Sequence, residues 1–136
     1  GCSMEPPLAE GERVMVDKVS PALTDISRGD LIIFSSPEDE SKNLIKRVIG
    51  IAGDKIELIG EMVYLNNKPL REGYTRRTIF PQKPGESTTV EEGFMFVLGD
   101  NRPQSRDSRD FGTVSIEHVR GKVLLRLWPL DALTVF

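Results

Sequence analysis

Ser3, in the run Gly1-Cys2-Ser3-Met4-Glu5-Pro6, the distant pair Lys46-Arg47 and a single histidine, His118, are the residues whose types could combine into hydrolytic chemistry. Ser3 stands in a short segment stiffened by Pro6 and Pro7, with Leu8 available to anchor it in a core. A serine hydroxyl is a weak nucleophile until a base takes its proton. The base here is either His118 or a lysine whose pKa burial has lowered. A lysine in that role must be neutral near neutral pH, and a lowering of about 2 units corresponds to about 2.7 kcal/mol of differential stabilisation. Lys46 lies between Ile45 and Val48 in a β-branched, apolar stretch, where alternation places Lys46 and Val48 on one face. Apolar neighbours would desolvate the amine, and Arg47 is expected to push its pKa in the same direction. Taken singly, most serines are surface hydrogen-bonders, and a lone strand lysine is more often an exposed edge residue than a base.

A second polar cluster runs from Gly99 to Gly112. Within it Ser105, Asp107 and Arg109 alternate, so on an extended segment they share a face. Ser105 could hold the lysine amine, while Asp107 and Arg109 could pair and fix the loop. A turn-rich loop tied by its own Asp–Arg contacts accounts for the same residues equally well. His118 reads as a surface or helix-capping residue. No spacing of Asp, Glu, His or Cys suits a metal, and no cofactor is expected.

These residues need a scaffold, and the composition allows one. The chain has 136 residues, enough for a single domain over 1–136 with a real core. Hydrophobic content of 38% with 29% charged residues fits a folded domain and not a disordered chain. The net charge of −3, with no basic run, argues against nucleic acid as a partner. One cysteine excludes an internal disulfide. No apolar run approaches the ~20 residues needed to cross a bilayer. Short β-branched and apolar runs predict strands at 13–18, 31–34, 44–51, 55–59, 62–65, 94–98 and 122–127. Asn66-Asn67 reads as a hairpin tip, and Ser115 caps one helical turn over 115–119. Glu38 to Lys42 reads as a polar loop, and 71–92 as a loop or hairpin excursion. The expected fold class is mostly β and antiparallel, with little helix.

In their order along the chain these blocks resemble the catalytic domain of the type I signal peptidases. Ser3-Met4-Glu5-Pro6-Pro7-Leu8 is similar to the family's Ser-Met-x-Pro-Thr-Leu block, with Pro7 in place of the usual Thr, and Gly11 to Lys18 follows as in the family. Arg28-Gly29-Asp30-Leu31-Ile32-Ile33-Phe34 resembles its Arg-Gly-Asp-apolar block. Lys46 to Asp54 and Gly99 to Gly112 match its lysine block and its Gly-Asp-Asn-Arg…Ser-x-Asp-Ser-Arg-x-Phe-Gly block, and these two are specific. The resemblance implies a barrel-like antiparallel Ser–Lys protease fold that removes signal peptides from secreted preproteins after an Ala-x-Ala-like motif. It implies Ser3 as nucleophile, Lys46 as general base, Ser105 as the residue orienting the amine, and Asp107 and Arg109 as a supporting ion pair. Met4, Leu8, Leu44 and Ile45 would line small pockets for Ala-like side chains. It further implies a membrane anchor upstream of Gly1 and a catalytic domain on the extracytoplasmic side of the bacterial membrane. Two other readings compete: a self-cleaving Ser–Lys repressor of the SOS type, and a non-catalytic β module that binds peptides. The chain has neither the Ala-Gly pair nor the helix-turn-helix pattern expected of the first.

Overall fold

The computed structural model describes residues 13–17, 26–73, 75, 78, 80, 86–128 and 134–135. Among them the chain is mostly β, and the strands pair antiparallel in two sheets. The larger sheet takes β1 (Arg13–Asp17), β2 (Leu31–Ser36), β3 (Asp39–Gly50), β8 (Phe94–Leu98), β9 (Val114–Ser115), β10 (Val119–Trp128) and β11 (Thr134–Val135). Its order is β1-β10-β2-β3-β8-β9, with β11 also on β10. The smaller sheet takes β4 (Lys55–Ile59), β5 (Met62–Leu65), β6 (Lys68–Pro69) and β7 (Thr88–Thr89), in the order β6-β5-β4-β7.

The strand that carries Lys46 is central, not an edge. β3 lies between β2 and β8, with Lys46 opposite Ile32, and Arg47 opposite Leu31 on one side and Leu98 on the other. Its C-terminal half is buried on both faces. Alternation then divides the core. Val48 joins Ile32, Phe34, Met95 and Val97 in one cluster, and Ile49 joins Phe96, Leu98, Ile56 and Val63 in another. The second cluster joins the two sheets, since Ile56 and Val63 belong to β4 and β5. Each such fully buried side chain contributes roughly 1.5–3 kcal/mol relative to exposure.

Two turns follow the expected chemistry. Asn66 and Asn67 both take left-handed dihedrals, φ 52° and 69°, as the tip of the β5–β6 hairpin. Ser115 caps a short 3-10 turn over Ile116–His118 by accepting from the Glu117 amide. The segment from Glu38 to Lys42 departs from the sequence expectation. Pro37 and Glu38 make a tight turn, and β3 begins at Asp39, so 39–42 is strand. Both faces of this arm are exposed, so it carries no apolar alternation that a reader could detect. The Gly99–Gly112 block also differs: it holds a 3-10 turn over Arg102–Gln104 and a one-turn helix, α1 (Ser108–Phe111). Within 71–92, β7 hydrogen-bonds to β4, Phe80 and Val90 are core residues, and Glu72 is buried.

Candidate active site

Lys46 leaves β3 into the protein interior and is only 2% exposed. Its Nζ donates to Ser105 Oγ at 3.1 Å. The amine pKa falls from 10.5 to about 8. Desolvation is the main cause; Asp107 opposes it, Arg109 lowers it further, and Asp110 and Asp100 also raise it. A substantial fraction of Lys46 is therefore neutral at mildly alkaline pH, as a base must be.

Ser105 is oriented from below. Its Oγ donates to Asp107 Oδ2 at 2.8 Å. A hydroxyl has one proton, so Ser105 can only accept from Lys46. The lone pair of a neutral Lys46 then points away from Ser105 and is free to take a proton from another group. Asp107 is wholly buried and is saturated with donors. Oδ2 also accepts from the Gly99 amide at 2.9 Å and Arg109 Nη2 at 2.9 Å. Oδ1 accepts from the Arg109 amide at 3.1 Å and Arg109 Nε at 2.8 Å. Arg109 Nη2 further donates to the carbonyls of Arg102 and Ser105, and its guanidinium lies 5.8 Å from the centre of the Phe80 ring.

Local chain chemistry explains this arrangement. Asp107 is the N-cap of α1: its carboxylate takes the Arg109 amide, and Asp110 reaches back to the Asp107 amide at 3.0 Å, a capping box. Ser108 Oγ accepts from the Val97 amide and ties α1 to β8. Ser105 and Asp107 have extended dihedrals, as the alternation implied, but Arg109 is helical. It reaches the same cluster because its long side chain folds back over the cap.

The expectation for Arg47 is corrected. It faces away from Lys46, holds Asp100 in a fork at 2.7 to 3.2 Å and donates to the Gly29 carbonyl at 2.8 Å. Its charge is thereby compensated, and Arg109 supplies the like-charge effect on Lys46. Burial pushes the Asp100 carboxyl up, against the pull of Arg47. The sequence reading also missed Arg102 and Glu72, a second buried ion pair. Arg102 lies inside the Gly99–Gly112 block, so the signal is present in the sequence, whereas Glu72 lies among residues with no periodic pattern.

Leu44 and Ile45 are half-buried on opposite faces of β3, packed against the Phe34 and Leu31 clusters respectively. Ser3, Met4 and Leu8 lie outside the described residues. His118 is half-exposed, with Nδ1 3.0 Å from Ser35 Oγ. No hydrogen bond among the described residues joins it to Lys46 or Ser105. Ser105 also borders a cavity of about 600 Å³, together with Arg109, Asp110, Ile56, Phe80 and Phe96.

Comparison with known proteins converges on one family. The family model described as signal peptidase, peptidase S26, matches residues 1–128. Signal peptidase IB of Staphylococcus aureus (strain COL) is 33% identical over 147 aligned residues, covering 96% of this chain and 76% of that protein. Signal peptidase I of Bacillus caldolyticus is 38% identical over 141 residues, covering 95% and 76%. The crystal structure of a signal peptidase I from Enterococcus faecalis V583 superposes with a TM-score of 0.60 at 35% identity, covering 72% of this chain and 96% of that one. A match along nearly the whole chain, on a mostly antiparallel β fold, means that this chain belongs to the signal peptidase I family of serine peptidases.

Proposed function

We propose that this chain cleaves signal peptides from secreted preproteins with Ser3 as nucleophile and Lys46 as general base. The observation that carries this reading is Lys46: a buried amine with a pKa near 8, held by Ser105 so that its lone pair is free. Neutral Lys46 takes the Ser3 proton as Oγ attacks the scissile carbonyl. The resulting ammonium then protonates the leaving amine, and water completes hydrolysis by the same route. The Ser3 amide donates to the developing oxyanion. Asp107 and Arg109 hold Ser105, and Ser105 holds the amine. Met4, Leu8, Leu44 and Ile45 line the pockets that favour Ala-x-Ala-like sites. The chain works as one catalytic domain at the outer face of the bacterial membrane, where preproteins emerge, and needs no cofactor.

A penem that acylates activated serines tests the assignment. Mass spectrometry should find one adduct, on Ser3, absent from Ser3→Ala and greatly slowed in Lys46→Ala. Labelling at another residue, or undiminished labelling of Lys46→Ala, would remove the dyad.

A further inference from the structure

We propose that Glu72 is a positioning residue for the Ser105–Lys46 pair, acting through Arg102 from a different part of the chain. The inference rests on the Ser–Lys reading above. Glu72 follows β6 by a few residues and lies 30 residues before Arg102. Both side chains are almost wholly buried. Arg102 Nη1 donates to Glu72 Oε1 at 3.2 Å, and Nη2 donates to Oε2. Arg102 Nε donates to the Gly99 carbonyl at 2.6 Å, closing the loop that begins the block. The Arg102 carbonyl accepts from Arg109 Nη2 at 2.9 Å, and that same nitrogen reaches the Ser105 carbonyl and Asp107 Oδ2.

Arg102 is thus fixed at both ends. Its side chain is held by Glu72 and Gly99, and its backbone by the guanidinium that anchors Asp107. It opens the 3-10 turn over Arg102–Gln104, and Ser105 is the next residue. The orientation of Ser105 Oγ depends on that turn. The Glu72–Arg102 pair also acts on Asp100, as does Arg47 beside Lys46. Arg47, Asp100, Arg102 and Glu72 form a buried row of alternating charge from the lysine strand to the segment after β6. Removing the terminal carboxylate leaves a buried cation uncompensated, and the turn must shift to rehydrate it.

The groups acting on Lys46 are Asp107, Arg109, Asp110 and Asp100. Asp107 is the strongest of those that favour the ammonium. A turn that drifts outward weakens that attraction but also admits water to the amine, and desolvation is the larger influence, so Lys46 should titrate at higher pH, nearer its ordinary value. Misplacement by about 1 Å costs up to about a hundredfold in rate.

The test is Glu72→Gln, read by kcat and KM on a signal-peptide substrate and by the Lys46 titration from ¹³Cε-lysine NMR. The expected result is a kcat lowered about ten- to a hundredfold, a KM little changed and a Lys46 titration moved to higher pH. A purely structural pair would lower the melting temperature and leave kcat and titration at parent values, which overturns the proposal. Should Glu72→Gln not fold, Glu72→Gln combined with Arg102→Gln removes both charges yet still lacks the fork between the two side chains and the Nε hydrogen bond to the Gly99 carbonyl. Low kcat and a displaced titration in the double variant support the proposal, and parent values overturn it. The NMR titration reports on Lys46 whether or not peptide is cleaved, so it can fail separately from the dyad. The dyad itself is judged by Lys46→Ala.

Discussion

Under the proposed mechanism the buried Lys46 side chain sets the working pH. In that mechanism the amine must be neutral to accept the Ser3 proton, so activity should rise with pH along one acid limb near the Lys46 pKa of about 8. A pH–rate profile of kcat/KM checks this. His118→Ala should keep nearly full activity, because His118 is engaged with Ser35 and not with Lys46. An acid limb near about 6.5 that disappears in that variant would move the base to His118. Ser105 makes a sharper test of the hydrogen-bond argument. Ser105→Ala removes one acceptor from the amine, a loss of roughly 1–3 kcal/mol, or about ten- to a hundredfold in rate. Circular dichroism should show the fold intact. Unchanged turnover would take Ser105 out of the mechanism.

At the scale of elements, the end of β3 and the start of β4 must come very close. A Cβ at Gly50 would lie 2.6 Å from Ile56 Cδ1 and 3.3 Å from a Val90 methyl. Both neighbours are core residues that join the two sheets, so they cannot swing into solvent. Gly50→Ala should lower stability by about 1–3 kcal/mol through overpacking, measured by urea unfolding. Ile56→Val deletes the Cδ1 that clashes. The double variant should therefore be less destabilised than the two single effects added together. Strict additivity would show that the contact is not the cause. The same strand explains why Lys46 is buried: β3 is an inner strand between β2 and β8, with Ile32 opposite Lys46, and the amine meets Ser105.

At the scale of the whole molecule, Asp54 ties the turn after β3 to two distant segments. It accepts from Arg28 Nε and Nη2, both at 2.7 Å, from the Ile51 amide at 2.9 Å and from Asn66 Nδ2 at 3.0 Å. Arg28 chiefly, with the Ile51 and Asn66 donors, pulls its carboxyl down to about 2. A carboxylate whose folded pKa is depressed contributes stability above its unfolded pKa of about 3.9, and loses it as pH falls through the folded value. Asp54→Asn should cost roughly 1–3 kcal/mol at neutral pH. The gap to the parent in urea midpoint should close towards pH 2. A gap that stays constant over that range would mean that the charge is not what matters.

The local signals in this chain are strong where one residue type answers one local demand. The Asn66-Asn67 tip, the Ser115 cap and the apolar runs at 31–34, 55–59 and 94–98 were legible for that reason. The roles proposed for Lys46, Ser105, Asp107 and Arg109 came only through family blocks, because alternation alone allowed a surface lysine and a self-tied loop. Tertiary structure decided against a surface lysine, while the loop is indeed tied by its own Asp107–Arg109 contacts and also meets Lys46 through Ser105. β3 became central, which desolvated Lys46, and a capping box bent the loop so that Arg109 folded back onto Asp107. Arg47 turned to Asp100, against the sequence expectation, because adjacent strand residues face opposite sides of a sheet. Glu72 carried no signal in its own neighbourhood, since its partner lies 30 residues away. The energy of a buried charge depends on what surrounds it in space, and chain order does not specify that until the sheets have packed.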